Sequence, residues 1–376
     1  MRIHVLVSDT LAHGGIQHFN RALIQELRAA VSETDRVRVF SLNDPPAADF
    51  HGFNRRKSDF ARAALMAAAT EQPDVVLLGH VNFSPLAIAY RIAGRSCRTF
   101  VIAYGKEVEE RRTWPWLLGL HAANGIICIS ESTQRFVSSV QRIPYRRTHL
   151  LHFGLPAIEG DVPAETRSRN GSIELLVVSR LDQREPLKGV DVAIEAVALL
   201  RDTLPGLRCT IAGDGDDRPR LDRLVERLDL GDRVSFKGAV DNRSLSRMYD
   251  EADIFVLPSA LEGFGIVYLE AMAHGKPVIA LRRGGTPDVV VHEANGLLLD
   301  EQTPEEVAAA IFRLAADAPL RRRLGEFGRT VTVPTFSRER MRAALATILG
   351  ITDTNSDIPS FRITARSATG AAAHDG

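Results

Sequence analysis

Short, continuous apolar runs alternate with longer helical stretches in this chain, and the alternation starts twice. The first series of runs lies at 3–7, 37–41, 74–78, 99–103 and 125–129, with helical stretches such as 16–30 and 59–70 between them. The second lies at 173–178, 209–212, 234–237, 254–257 and 277–280, separated by helical patterns at 190–200, 219–228, 244–251 and 265–274. Helices over 304–330 close that series, and a last one is expected at 337–349. Runs this short and unbroken read as strands buried on both faces, which means parallel sheets covered by helices. The fold class is therefore α/β, with two doubly wound, Rossmann-like parallel sheets. Ligands in such sheets sit beyond the carboxyl ends of the strands, near helix N-termini.

Between 155 and 172 the composition shifts to Pro, Gly, Glu and Ser, and the pattern then begins again. The expected layout is an N-terminal domain over 1–155, a linker over 156–171 and a C-terminal domain over 172–335. A helical segment, 336–350, and a polar, Ala/Gly/Ser-rich tail expected to be disordered, 351–376, complete it. A length of 376 residues exceeds one ordinary core and favours two domains.

With 45% hydrophobic and 25% charged residues, the composition is that of a soluble enzyme. The formal net charge is zero, which argues against nucleic-acid binding through bulk electrostatics. Cys97, Cys128 and Cys209 are far apart and show neither metal-ligand spacing nor a disulfide framework, so they read as core residues in a reducing cytosol. No signal peptide is visible, and no apolar run approaches the ~20 residues of a membrane span. The expected location is the cytoplasm.

The residues with chemistry to offer cluster at strand ends. Glu262-Gly263-Phe264-Gly265 follows the run at 254–257 and opens a helix, with Glu270 eight positions after Glu262. Small residues there let backbone N–H groups approach an anion, and the two carboxylates can accept from sugar and ribose hydroxyls. Tyr268-Leu269 and Ala271-Met272 flank Glu270 with apolar neighbours, against a purely solvated role. Arg180 ends the run at 173–178, and Lys188-Gly189 precedes the next helix, a pair of cations suited to a diphosphate. Lys188 is one of only five lysines beside 42 arginines. Gly213-Asp214-Gly215 and Gly284-Gly285 also follow strands, where plain turns account for them. In the first half, the loop His13-Gly14-Gly15 lacks the Gly-x-Gly-x-x-Gly spacing of a dinucleotide fingerprint but still offers backbone donors. His80 ends the run at 74–78, and Tyr104-Gly105-Lys106-Glu107 ends that at 99–103.

These segments, together with Gly14-Gly15-Ile16-Gln17, Ser130-Glu131 and Pro258-Ser259, resemble the retaining glycosyltransferases of family four, which have the GT-B fold. The likeness runs to about residue 350, and the Glu-x7-Glu segment is its most specific part. It implies two Rossmann-like domains facing across a cleft, with segment 336–350 packing back on the N-terminal domain. It implies catalytic or charge-stabilising roles for Arg180 and Lys188 at the donor diphosphate and for Glu262 at the donor sugar. Glu270 would bind the ribose, and Gly263, Phe264, Gly265 and Ile266 would contact sugar and phosphate through their backbone. Gly213 and Val240 would border the nucleotide, and Gly14 and Gly15 the phosphate and acceptor. His80 and Glu107 would lie on the acceptor side. Tyr104 stands where many relatives carry His. A phenol ionises near pH 10, so Tyr104 would donate a hydrogen bond without acting as a base.

The expected reaction is therefore metal-independent transfer of a hexose-type sugar from a nucleoside diphosphate sugar, a substrate and not a cofactor, with retention. The acceptor expected is a saccharide or lipid-linked saccharide. Arg111-Arg112 beside Trp114-Pro115-Trp116-Leu117-Leu118 offers a peripheral membrane contact, and reads equally as the start of a half-buried helix. A small natural-product acceptor, an epimerase or phosphorylase of the same fold, and a clam-like sugar-binding protein are the rival readings.

Overall fold

The computed structural model describes residues 1–12, 14–93, 97–156 and 172–351. His13, the expected linker beyond residue 156 and the expected tail beyond residue 351 lie outside the described residues. The chain divides into two compact units, Met1–Gly154 together with the segment from Phe336, and Leu155–Thr335.

The first unit is built on seven strands: β1 (Arg2–Val7), β2 (Arg36–Ser41), β3 (His51–Gly52), β4 (Val75–Leu78), β5 (Arg98–Ala103), β6 (Gly125–Cys128) and β7 (Thr148–Leu150). They pair in the order β3-β2-β1-β4-β5-β6-β7, all parallel. The second has six: β8 (Ile173–Val178), β9 (Leu207–Ala212), β10 (Val234–Gly238), β11 (Ile254–Leu257), β12 (Val278–Leu281) and β13 (Gly296–Leu299). Their order is β10-β9-β8-β11-β12-β13, again parallel throughout. Each sheet reverses its strand order once, between β1 and β4 and between β8 and β11. Those reversals leave a crevice at the carboxyl ends of the two strands concerned.

The central strands are buried along nearly their whole length, as their apolar runs require. Three strands were not among the expected ones, β3, β7 and β13, and all three lie at sheet edges. Two of them are only two or three residues long, and β13 reads Gly-Leu-Leu-Leu, whose leucines favour a helix as readily as a strand. Covering helices follow amphipathic logic. Helix Gly15–Ala30 buries Phe19, Ala22, Leu23, Glu26 and Leu27, one stripe at helical spacing. Ser130, Thr303 and Ser337 each cap a helix by accepting a backbone N–H. The three cysteines are buried and free.

Helix Arg338–Leu349 packs on helix Gly15–Ala30. The entering chain passes so close to Gly154 that a Cβ there would lie 2.6 Å from the Ser337 carbonyl oxygen. Glu26, only 2% exposed, anchors the pair of helices. Its carboxylate faces Arg342 Nε at 2.9 Å and Arg338 Nη1 at 3.5 Å. Removing it leaves the largely buried Arg338 without a carboxylate, while Arg342 is 40% exposed. Glu26→Ala is expected to cost on the order of 2 kcal/mol, below the ~3–5 kcal/mol of a fully buried pair because Arg342 reaches solvent. Urea unfolding measures this; an unchanged midpoint would show that the ion pairs contribute nothing.

Candidate active site

In the second unit the crevice between β8 and β11 is lined by two loops. The one after β8 carries Arg180 and ends in a 3-10 turn, Pro186–Lys188, which feeds helix Val190–Leu199 through Gly189. The one after β11 carries Pro258 to Gly265 and feeds helix Ile266–Ala273. Lys188 Nζ joins them. It lies 3.1 Å from Glu262 Oε2 and donates at 3.1 Å to the Leu261 carbonyl oxygen. Both side chains are largely buried, 20% and 16% exposed.

Backbone contacts lock the same two loops. Ala260 N–H donates to Leu187 O at 2.8 Å. Gln302, from the loop after β13, donates through Nε2 to Leu187 O at 2.9 Å and to Pro258 O at 2.7 Å. One carboxamide thus fixes both walls, and no local sequence pattern marks Gln302 for that task. Gly189 must be small, because a Cβ there would stand 2.7 Å from Pro258 O.

Two glycine turns that the sequence explains as turns also hold the site. Gly213 has φ +135°, and a Cβ on it would lie 1.8 Å from Ser179 O. Its neighbours clamp the loop after β8, with Ser179 N–H on Ala212 O and Leu181 N–H on Asp214 O, each 3.0 Å. Gly284 has φ +56° and would place a Cβ 2.1 Å from Glu262 O, while Gly285 N–H donates to that oxygen at 2.8 Å. The Glu262 backbone is thereby held from behind.

Glu270 lies on helix Ile266–Ala273, half-buried, and accepts from Tyr249 Oη at 2.9 Å. Burial pushes its carboxyl up to about 7, opposed by that hydrogen bond. Gly263 precedes buried Phe264, and Gly265, with φ +95°, starts the helix ahead of Ile266. Val240 is half-buried in the turn after β10, next to Asp241, which caps helix Asn242–Glu251.

Arg180 is placed differently from Lys188. It is 58% exposed and pairs with Glu185 at 2.9 Å and Asp182 at 3.8 Å. Among the described residues it makes no hydrogen bond or ion pair to Lys188 or Glu262.

In the first unit, Gly14 (φ +148°) and Gly15 open helix Gly15–Ala30 beyond β1. His80 follows β4; its Nδ1 accepts the Asn82 N–H at 3.0 Å, and its ring stacks on Tyr104 at 6.0 Å. Tyr104 departs from the expectation of a donor to substrate. Its side chain is turned into the unit, 6% exposed, and its hydroxyl donates to Asn20 Oδ1 at 2.9 Å. Burial pushes the phenol well above its ordinary value, with Glu107 and Asp9 adding to the effect. The reason is packing: Phe19 and Tyr104 meet edge to face, and the buried hydroxyl needs a partner that Asn20 provides. Glu107 is tied back as well, accepting the Tyr104 N–H at 2.6 Å. Among the described residues no group of three or more His, Cys, Asp or Glu is placed to hold a metal.

Comparison with known proteins agrees with this architecture. Residues 161–331 match the family model for glycosyl transferases group 1. A GDP-mannose-dependent alpha-(1-6)-phosphatidylinositol monomannoside mannosyltransferase of Mycobacterium tuberculosis is 30% identical over 284 residues, covering 70% of this chain and 72% of that protein. An uncharacterized glycosyltransferase of Methanocaldococcus jannaschii is 30% identical over 202 residues, 51% of either chain, so the match spans about half of that relative. The crystal structure of Anabaena HepE in complex with UDP and glucose superposes with a TM-score of 0.75, covering 92% of this chain and 99% of that one. At 18% identity that likeness is one of fold. Two parallel Rossmann-like sheets of this kind define a GT-B protein. The chain belongs to the glycosyl transferases group 1 family.

The Glu270 environment has a consequence for stability. The carboxyl ionises at 4.5 when exposed and at about 7 in the folded chain, so the folded state holds its proton more tightly. Folding stability from this group is greatest below pH 4.5, falls as pH rises and levels off above about 7. The loss should reach on the order of 2–3 kcal/mol at neutral pH. Glu270→Gln, which cannot ionise, should flatten the decline in melting temperature between pH 5 and 7.5; parallel curves for the two proteins would contradict the assignment.

Proposed function

We propose that the protein is a retaining glycosyltransferase that moves a hexose-type sugar from a nucleoside diphosphate sugar, bound by the second unit, to a saccharide or lipid-linked saccharide bound by the first. The observation that carries this reading is the Lys188–Glu262 pair at the strand reversal, with Glu270 on the helix that follows.

In this reading Lys188 shares its ammonium between Glu262 and the donor diphosphate, and Arg180 swings from Glu185 to add a second cation. Backbone N–H groups at Gly265 and Ile266 face the same anion, with Phe264 and Gly263 shaping the approach. Glu262 accepts from hydroxyls of the donor sugar and Glu270 from the ribose. Gly213 and Val240 border the nucleotide. Gly14 and Gly15 lie against the acceptor, with His80 and Glu107 on the same side. Tyr104 acts indirectly, by supporting the His80 ring.

The bond from the anomeric carbon to the diphosphate breaks while the acceptor oxygen attacks from the same face, and the acceptor proton passes to the departing diphosphate oxygen. Positive charge from Lys188 and Arg180 offsets the charge that develops there, so the reaction needs no metal ion. The mycobacterial relative, named as acting on a phosphatidylinositol mannoside, supports a lipid-linked acceptor. So does Trp114, which is 73% exposed beside Arg111 and fits a peripheral contact with the inner face of the cell membrane. Among the described residues no helix is long and apolar enough to cross a membrane.

Lys188→Ala should lower turnover by roughly 10²–10³-fold, the scale for one preorganised charge at a reacting anion, and should lower the melting temperature as well, because it leaves the largely buried Glu262 without its cation. Near-normal turnover in a folded variant would remove Lys188 from the mechanism. Anomeric analysis of the product by NMR should show retention, and activity should persist in EDTA; an inverted product or loss of activity on chelation defeats the corresponding claim.

A further inference from the structure

Arg112 belongs to the segment joining helices Lys106–Glu109 and Trp116–Ala122. The segment is rigidly held. Buried Gln141 accepts the Arg112 N–H at 2.9 Å and donates to Val108 O and Glu110 O at 2.9 and 2.7 Å. The guanidinium lies over the Trp116 ring at 5.6 Å and donates from Nη2 to Asn82 Oδ1 at 2.8 Å. Its Nε is enclosed and has no acceptor. Among the described residues its polar side-chain partner is thus a neutral amide and not a carboxylate.

Asn82 also sets His80. Because Nδ1 accepts the Asn82 N–H, the neutral imidazole carries its proton on Nε2 and keeps a donor there. Burial holds that ring below its ordinary pKa; Glu107 opposes this and Arg112 reinforces it. One asparagine therefore fixes two neighbouring donors, one charged and one neutral, past the carboxyl end of β4. A half-buried cation whose polar side-chain partner is a neutral amide keeps its full charge for an anion. An oxyanion with several oxygens can meet the planar fork of Arg112 and the single N–H of His80 together.

We infer that Asn82 organises Arg112 and His80 into a binding site for a phosphate ester, the anionic group of the acceptor. The inference rests on the reading that the first unit takes the acceptor. Glu107 acts on the same ring, so a singly charged phosphodiester suits the site better than a doubly charged monoester.

The two tryptophans, Trp114 and Trp116, allow a direct test. In the full chain carrying Trp114→Phe, the emission of Trp116 reports on Arg112. It is titrated with dimethyl phosphate, with phosphatidylglycerol vesicles and with neutral galactolipid vesicles, each repeated in Lys188→Ala so that the donor cation is absent. A saturable response is expected that survives Lys188→Ala and weakens at least about tenfold in Arg112→Gln, the loss of a charged hydrogen-bond donor. Should Arg112→Gln not fold, Asn82→Ala, which frees both donors, must weaken the response instead. A response to dimethyl phosphate assigns a soluble phosphoester; a response to phosphatidylglycerol alone assigns a lipid headgroup. Silence towards both probes, or a response that survives Arg112→Gln and vanishes in Lys188→Ala, overturns the site. Failure of the glycosyltransferase reading is separate, since it shows as no sugar transfer by the unsubstituted chain from any nucleoside diphosphate sugar.

Discussion

A lysine ammonium 3.1 Å from a glutamate carboxylate governs the geometry of the second unit's site. The two residues come from different strand-end loops, and the reversal of strand order between β8 and β11 is what brings those loops side by side. A largely buried pair of this kind gains little net stability, because desolvating both groups offsets their attraction. Its value is orientation. Lys188 also donates to the Leu261 carbonyl, so its ammonium cannot shift without giving up two partners. On the proposed reading an incoming diphosphate would add a third partner to a cation already in place and leave little reorganisation for the bound state.

The rest of the site serves to keep those two loops still. Gly213 and Gly284 adopt left-handed backbone angles and press directly against Ser179 and Glu262 carbonyl oxygens, where any Cβ would collide. Gln302 closes the other side, its one NH₂ group spanning Leu187 and Pro258. These contacts differ in kind from Gly15, whose missing Cβ faces open space. Glycines in similar strand-to-helix turns thus divide into those that shape a turn and those that brace a neighbouring loop, and only the three-dimensional contact separates them.

The division marks how far the sequence could be read. Interior strands were legible because burial on both faces demands unbroken apolar runs; edge strands β3, β7 and β13 escape that demand and escaped notice. Lys188, Glu262 and Glu270 were legible as residue types in a spacing shared with a known family. What joins them was not. Lys188 and Glu262 are 74 positions apart, Gln302 and Leu187 are 115 apart, and Tyr104 and Asn20 are 84 apart. Periodicity reports on neighbours within a few turns of chain and carries no information about such partners. Hence Tyr104 was expected to face substrate, while its hydroxyl is spent on Asn20, and Arg180 was grouped with Lys188, while it pairs with Asp182 and Glu185.

Both units also place groups where folding alone would not put them. Glu270 sits in surroundings that resist its ionisation, and Arg112 keeps an enclosed N–H without an acceptor. Glu26, by contrast, faces two arginines. Glu270 lies on the helix after β11, and Arg112 bonds Asn82 beyond the carboxyl end of β4, regions where ligands bind in doubly wound sheets. On the proposed reading ribose hydroxyls would donate to the Glu270 carboxylate, and an oxyanion would meet the Arg112 guanidinium. On that reading a ligand at either place would relieve a term that is unfavourable in the folded chain alone, and that relief would contribute to binding.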